Sequence, residues 1–383
     1  MKWTRPAGRS PSPTRIIMPT SELLVQPAPA FLNCESPPIS SPANNYFQAA
    51  RKIFAQATRG KTIREFFCGM GGCSVRLRLA GESLVPLVLP ALAHLQIKSV
   101  ASPDLTICLG DLAELELALE FPGEESNDME PPGAMWRHED ARFFALAQKE
   151  TNSLSLLDAE EKLAFYWTRN AARLPWYENS FPLRHLLAHF FRRHDRHIIH
   201  AAAIGDETGA VLIVGKGGSG KSTATLACAT NGLFYLGDDY TLVGIEPAPR
   251  VWSLYSSAKV NADTLNWFPE LKSFVHHSGG AKKKSSLFLH GTPGLRFAES
   301  LPIRAVLWPQ ITGRAETKLT AASSTTLLLA LAPSSILQTP GGGDSVLRAL
   351  SQLVQAVPTR ILEAGTDPAQ IASAIKKFLA NEN

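Results

Sequence analysis

The sequence predicts a mixed α/β protein, and three observations support this fold class. A strand-like run, a glycine-rich loop, a helix-compatible run and a second strand follow one another between Val211 and Leu236. Three helix-forming stretches close the chain, whereas the residues before about 196 mix strand-like alternation with one amphipathic helix. With 45% hydrophobic residues in a chain of 383, large apolar cores can form, which excludes a wholly disordered protein.

The composition along the chain predicts three segments. Residues 1–45 are rich in proline and serine, which predicts a disordered leader. Residues 46–195 are expected to form a smaller α+β domain, and residues 196–383 the α/β domain. Two folded domains agree with the usual size of roughly 150 residues per domain. Because no period of 20 to 50 residues repeats, solenoids and propellers are excluded.

The elements of the first half are predicted from alternation and helical spacing. Polar and apolar residues alternate over Ser74–Leu79, and Leu105–Leu109 and Leu115–Leu119 predict two further strands. The glycine-rich stretch Phe67–Cys73 is typical of a tight turn between strands. Apolar residues at helical spacing predict an amphipathic helix over Pro182–Phe191, with the proline in its first turn.

The second half begins with a predicted hairpin. The apolar runs Ile198–Ile204 and Val211–Val214 flank a turn at Gly205–Gly209. A helix over Thr223–Ala229 and a strand over Leu233–Leu236 follow. The helices predicted in the tail are Ser324–Ala332, Ser345–Val357 and Pro368–Leu379.

The loop after the hairpin matches the full pattern G-x-x-x-x-G-K-S of a phosphate-binding loop. Its backbone N–H groups and the following helix N-terminus would bind nucleotide phosphates. Lys221 would contact the β- and γ-phosphates and Ser222 would bind Mg²⁺, so ATP and Mg²⁺ are the expected cofactors. The expected nucleotide-binding residues are Gly215, Lys216, Gly217, Gly218, Ser219, Gly220, Lys221, Ser222 and Thr223.

Two adjacent carboxylates, Asp238 and Asp239, follow the next predicted strand. The carboxyl end of a strand is where open α/β sheets bind their ligands. One carboxylate suffices to hold Mg²⁺, and a second can accept the proton from an attacking hydroxyl. His200, on the first strand of the hairpin, lies fifteen residues before Gly215. Taken alone, a histidine on an apolar strand is more typical of a buried core residue than of a catalytic one.

Taken together, these features resemble the bacterial HPr kinase/phosphorylase family. The resemblance rests on the order His200, hairpin, glycine-rich loop and Asp238-Asp239. The stretches Arg250–Lys259 and Leu174–Glu178 also resemble segments of the widespread HPr-kinase-like branch. The likeness is tight over about 197–260 and general over 140–375. It implies a P-loop domain with the nucleotide fold shared with phosphoenolpyruvate carboxykinases.

The resemblance also implies an activity and a role for each site residue. Such kinases transfer the γ-phosphoryl group of ATP to a serine hydroxyl of a protein, or of a precursor peptide in related systems. By that correspondence Asp238 accepts the proton, Asp239 holds the metal with Ser222, and His200 orients the carboxylates. Thr223 stands where the family usually carries an acidic residue, which argues against HPr itself as the acceptor. The first domain would recognise the substrate.

Further cations are expected near the transferred phosphoryl group, because negative charge spreads over its oxygens. The run Lys282–Lys284 would form a mobile basic loop that closes on ATP or on an acidic partner or, alternatively, a solvated surface loop. The candidates are Lys216, Lys259, Lys282–Lys284, Arg296 and Arg304.

Two other functions stay open: phosphorylation of a small metabolite, and nucleotide-gated binding of a partner without group transfer.

The net charge of +4 is too small to predict a nucleic-acid partner. No apolar run reaches the roughly 18 residues of a membrane span. Five scattered cysteines fit a reducing cytoplasm. A homo-oligomer stays open as well.

Overall fold

The computed structural model of the protein describes residues 41–59, 63–123, 135–278, 284–338 and 342–381. The predicted leader therefore lies outside the described residues, except for its last five. The first helix begins at Pro42, inside the predicted leader, because proline fits the first turn of a helix and Phe47 and Phe54 bury its apolar face.

The elements of residues 41–192 are, in chain order, α1 (Pro42–Thr58), β1 (Arg64–Met70), β2 (Cys73–Ala80), α2 (Val85–Leu92), β3 (Leu105–Asp111), α3 (Leu112–Leu115), β4 (Met135–Glu139), β5 (Phe143–Gln148), β6 (Ser153–Asp158), β7 (Leu163–Thr168) and α4 (Arg184–Arg192). The short 3₁₀ helices among the described residues are Ala93–Leu95, Ala171–Arg173, Glu178–Ser180 and Pro269–Phe274.

Strands β1 to β7 form one sheet in the order β1-β2-β3-β7-β6-β5-β4. The pairs β2–β3 and β3–β7 are parallel, and the other pairs are antiparallel. Side chains alternate between two faces, so Phe165 and Trp167 pack against α1 whereas Tyr166 belongs to a second core with α2 and α4. This second core also contains Leu242 and Tyr255, so the two halves of the chain share it.

The elements of residues 196–381 are β8 (Arg196–Ile199), β9 (Ala202–Asp206), β10 (Gly209–Ile213), α5 (Lys221–Thr230), β11 (Phe234–Gly237), β12 (Thr241–Gly244), β13 (Arg250–Trp252), β14 (Ser257–Val260), α6 (Ala262–Trp267), β15 (Val275–His277), β16 (Ser285–Phe288), β17 (Arg296–Phe297), β18 (Ser300–Ile311), β19 (Lys318–Ala321), α7 (Ser324–Gln338), α8 (Gly343–Ala356), β20 (Thr359–Ala364) and α9 (Pro368–Asn381).

The second sheet has ten strands, with the path β17-β11-β9-β10-β18-β13-β12-β8 and with β20 joining β18 to β19. Strand β9 is antiparallel to both β10 and β11, and β18 is parallel to β10. The carboxyl ends of β10, β11 and β18 therefore meet at one edge. Helices α5 and α9 cover one face and α7 and α8 the other, which gives a three-layered α/β arrangement. Strands β14, β16 and β15 form a separate small sheet.

Most of the predicted elements are confirmed. The strands at Ser74–Leu79 and Leu105–Leu109, the turn before β2, the β9–β10 hairpin, the helix after the glycine-rich loop and the three tail helices are all present. Helix α4 begins at Arg184, two residues after Pro182, because Leu183 adopts a left-handed conformation with φ of 60°. The fold is thus a mixed α/β fold, as predicted.

Two predictions about strands are wrong. Leu115–Leu119 holds no strand, because Asp111 caps a short helix that ends at Leu115. The run Ile198–Ile204 is divided between β8 and β9, which lie far apart in the sheet order, so His200 lies in the break and not on a hairpin strand.

Among the described residues, no helix combines the length and the apolar character that crossing a membrane requires.

Candidate functional site

The glycine loop, residues Gly215–Ser222, connects β10 to α5. Gly218 and Gly220 have φ angles of 81° and 95°, which residues that carry a Cβ atom rarely adopt. Lys221 is only 4% exposed, and its ammonium donates hydrogen bonds to the carbonyl oxygens of Gly215, at 2.7 Å, and Lys216, at 3.2 Å. Burial lowers the pKa of Lys221, while the nearby acids oppose that effect. The lysine therefore lies folded back on the loop, close to where phosphates would bind.

Asp238 and Asp239, here called the acid pair, follow β11 at the same edge of the sheet. The Ser222 hydroxyl donates a hydrogen bond of 3.1 Å to Asp238 Oδ1, and the Lys259 backbone N–H donates one of 3.3 Å to Oδ2. Asp238 is fully buried, and burial, with the charge of Asp239, raises its pKa to about 6. The acid pair thus contacts the glycine loop directly through Ser222.

Asp239 differs from its neighbour in backbone conformation and environment. Its φ of 62° lies in the left-handed region, so the chain turns sharply after Asp238. Asp239 is 6% exposed, and its charge raises the pKa values of His200, Lys221 and Lys259 against the effect of burial. It is therefore the anion that these three groups share.

His200 lies between the glycine loop and the acid pair, because it comes two residues before β9. Strand β9 lies between β10, which leads into the loop, and β11, which leads into the acid pair. Its backbone N–H donates to Ser335 Oγ at 3.1 Å, and its ring meets Tyr240 edge to face at 5.6 Å. Burial lowers the pKa of His200 to about 4, so the imidazole is neutral at pH 7. Within the described part of the chain, nothing hydrogen-bonds its Nδ1.

Lys259 is a further cation at the site, which the sequence analysis gave only as one of several candidate cations. It lies on β14, in the small three-stranded sheet. Its ammonium is 4.3 Å from the ring centre of Phe181 and 5.8 and 5.9 Å from those of Trp176 and Tyr177. Burial lowers the pKa of Lys259 to about 8.

The aromatic residues around Lys259 are functional candidates that the sequence analysis did not assign. Trp176, Tyr177 and Phe181 belong to the first half of the chain, yet they approach the acid pair through Lys259. The only signal in the sequence was the likeness of the segment Leu174–Glu178 to HPr-kinase-like proteins. Arg184 belongs to the same region, since it hydrogen-bonds the Tyr240 hydroxyl and lies 4.7 Å over the Tyr240 ring.

The other predicted residues divide into those at or near the glycine loop and those that lie away from it. Thr223 hydrogen-bonds Thr264 at 3.1 Å, and Lys216 is exposed on the loop. Lys284 is close enough for its charge to lower the pKa values of His200 and Lys221, whereas Lys282 and Lys283 lie outside the described residues. Arg296 pairs with the exposed Glu207, away from the site. A Cβ atom built on Gly209 would lie 2.5 Å from Arg304 Cγ, so the Arg304 side chain packs against the turn between β9 and β10.

The donor atoms suit Mg²⁺, although no group of three or more His, Cys, Asp and Glu side chains gathers among the described residues. Mg²⁺ in nucleotide sites uses one or two carboxylates, with water and substrate phosphates completing its shell. The Ser222 hydroxyl and the buried Asp238 carboxylate already lie 3.1 Å apart beside the loop. This pair could hold the ion beside bound phosphates.

No family model matches this chain, and no curated protein matches it either.

Proposed function

We propose that the protein is an ATP- and Mg²⁺-dependent phosphotransferase of the HPr-kinase-like P-loop type, which phosphorylates a serine hydroxyl of a protein or peptide. The observation that carries the proposal is the hydrogen bond between Ser222 of the glycine loop and the buried Asp238. A phosphate-binding loop joined to a pair of acids suits phosphoryl transfer, because one acid can hold Mg²⁺ while the other accepts the proton. A glycine-rich turn that binds no ligand would not explain why Lys221, Asp238 and Asp239 are all buried beside it.

Each residue contributes a separate part of the chemistry. The backbone N–H groups of the glycine loop and the Lys221 ammonium bind the β- and γ-phosphates. Ser222 and one acid would hold Mg²⁺, which supplies charge neutralisation at the phosphate oxygens when bound. The serine oxygen of the acceptor attacks the γ-phosphorus, the bond to the β-phosphate oxygen breaks, and the serine proton passes to the second acid.

The contact geometry favours a particular division of labour within the acid pair. Because Ser222 donates to Asp238, Asp238 suits the metal and Asp239 suits the proton. This division reverses the one that the family resemblance implies. His200 is neutral at pH 7 and acts as a positioning residue, since its ring faces the site while its backbone is bound to Ser335.

The test is a transfer assay with labelled ATP and Mg²⁺, in which the purified protein is given a lysate of its own organism. The Lys221→Ala variant should lose transfer by on the order of 10²-fold or more, because one positioned donor to the transition state contributes that much. Lys272→Ala removes an exposed lysine elsewhere and serves as the matched control. A labelled protein or peptide band that requires Lys221 supports the proposal.

Other outcomes would contradict it. Label confined to small molecules would indicate a metabolite kinase, and ATP binding without transfer would indicate nucleotide-gated binding. The division within the acid pair is tested by Asp238→Asn and Asp239→Asn, with the exposed Asp263→Asn as control. If Asp239→Asn abolishes transfer but keeps Mg²⁺-dependent ATP binding, Asp239 accepts the proton. The opposite pattern restores the division implied by the resemblance.

A further inference from the structure

A cavity of about 670 Å³ opens beside the glycine loop, on the side away from the acid pair. Its walls are the loop residue Ser219, the carboxyl end of β18 with Trp308 and Ile311, and the face of α7 that carries Leu329. This volume lies within the range of roughly 300–1,000 Å³ that is typical of small-molecule sites. The proposed function has so far assigned it no ligand.

The sheet order fixes where this cavity lies relative to the phosphates. Strand β10 has β9, and then β11 with the acid pair, on one side and β18 on the other. The Val214 N–H donates to the Leu307 carbonyl oxygen at 2.9 Å, so β18 accompanies β10 to the start of the loop. A nucleotide whose terminal phosphate faces the acid pair would therefore extend its other end towards β18.

Trp308 is the residue that most directly joins the cavity to the loop. A Cβ atom added to Gly215 would lie 3.0 Å from Trp308 Cδ1, so the indole packs against the first residue of the loop. At the other end of the loop, a Cβ on Gly220 would lie 3.6 Å from Ile311 Cγ1. The two apolar side chains therefore lie beside the two ends of the loop.

The chemistry of the walls suits a neutral planar group. Of the described residues that line the cavity, only Lys216 carries a charge. Leu329 and Ile311 are each 70% exposed, which is unusual for large apolar side chains and leaves them free to contact a ligand. Stacking on an indole is favourable for every nucleobase, since each base has a π-face.

We propose that this cavity binds the nucleobase of the nucleotide whose phosphates occupy the glycine loop, with Trp308 as the stacking residue. The inference rests on the proposed function, because it requires a nucleotide in the loop. It makes Trp308 and Leu329 determinants of nucleotide affinity, whereas Lys221 determines affinity for the phosphates themselves.

The experiment compares binding of Mg²⁺-ATP with that of Mg²⁺-tripolyphosphate, which has the phosphates without the base, by titration calorimetry. Trp308→Ala should weaken ATP binding by about 5- to 100-fold and leave tripolyphosphate binding unchanged. Trp308→Phe should restore most of the ATP affinity. Lys221→Ala should weaken both ligands.

Leu329→Trp provides a second variant that does not depend on how the core tolerates loss of Trp308. It fills the cavity from the exposed wall of α7 and should weaken ATP binding only. Leu337→Trp, on the same helix, is 82% exposed and does not line the cavity, so it serves as the matched control.

Several outcomes would overturn the inference, and they separate it from the proposed function. Unchanged ATP affinity in Trp308→Ala and Leu329→Trp, with transfer intact, refutes the base site alone. Equal weakening of both ligands by Trp308→Ala would mean that the indole only supports the loop. A changed association state with unchanged ATP affinity would mean that the cavity binds a second copy. If the wild-type protein binds neither ligand, both proposals fail.

Discussion

Replacing Lys259 by methionine should stabilise the fold and impair phosphoryl transfer. Lys259 keeps its ammonium among the rings of Trp176, Tyr177 and Phe181, where water is largely excluded. Burial lowers its pKa, and the negative charge of Asp239 only partly opposes that effect. Methionine has a similar length and is apolar, so it can fill the same space without a charge.

The size of the effect follows from the pKa and the ring contacts. Lowering the pKa from 10.5 to about 8 means that the charged form costs about 3 kcal/mol at pH 7. Attraction between the ammonium and the aromatic faces offsets about 1–2 kcal/mol of this cost. The free energy of unfolding of Lys259→Met should therefore exceed that of the wild type by about 1–2 kcal/mol at pH 7.

Urea unfolding at pH 7 and at pH 9.5 measures this difference, with the exposed Lys272→Met as control. Between pH 8 and 10.5 the unfolded wild-type chain binds more protons at Lys259 than the folded chain does, so wild-type stability rises with pH. The advantage of the variant should therefore shrink at pH 9.5. A Lys259→Met protein that is less stable than the wild type at pH 7 would refute the reasoning, because the ammonium would then stabilise the fold.

Three further predictions concern the site and the core. The transfer rate should rise with pH through about 6, because the Asp238 carboxyl has its pKa raised to about 6 and must be ionised to hold the metal or accept a proton; a flat pH–rate profile from pH 5 to 8 would contradict this. Gly215→Ala should weaken tripolyphosphate binding at least tenfold in calorimetry, since its Cβ would lie 2.9 Å from Ser219 Oγ in a backbone with φ of 132°; unchanged binding would show that the loop accommodates a side chain. Phe191→Ala should reduce the free energy of unfolding by about 3–5 kcal/mol in urea, because the ring is fully buried in the core that both halves share, and a loss under 1 kcal/mol would contradict that packing.

The sequence was enough to place the glycine loop and the acid pair after their strands, because the information that places them is local. The glycine loop and the acid pair each occupy a few consecutive residues, and each lies directly after an apolar run that forms a strand. Parallel placement of β10 and β11 then brings the two segments to the same edge without any further signal. Periodicity likewise identified α8 and α9, whose buried residues follow helical spacing.

The surroundings of Lys259 could not be predicted in the same way. Trp176 and Phe181 lie about 80 residues earlier in the chain, and only the packing of the two halves brings them to the ammonium. Periodicity reports which face of an element is buried, but it does not identify the partner that covers this face. The same limitation explains His200, since a continuous apolar run gave no sign that β8 and β9 pair with different strands.

The acid pair shows why two adjacent identical residues need not share one role. Asp238 continues the direction of β11, so its carboxylate lies inside the protein and meets Ser222 and the Lys259 N–H. The left-handed turn at Asp239 directs the next carboxylate elsewhere, towards the neutral His200 ring and the ammonium groups of Lys221 and Lys259. Burial raises the pKa of Asp238 to about 6, and the charges of Lys284 and Lys221 oppose that effect only in part. A single backbone angle therefore creates two chemically distinct carboxylates, and the Asn variants of each should fail at different steps.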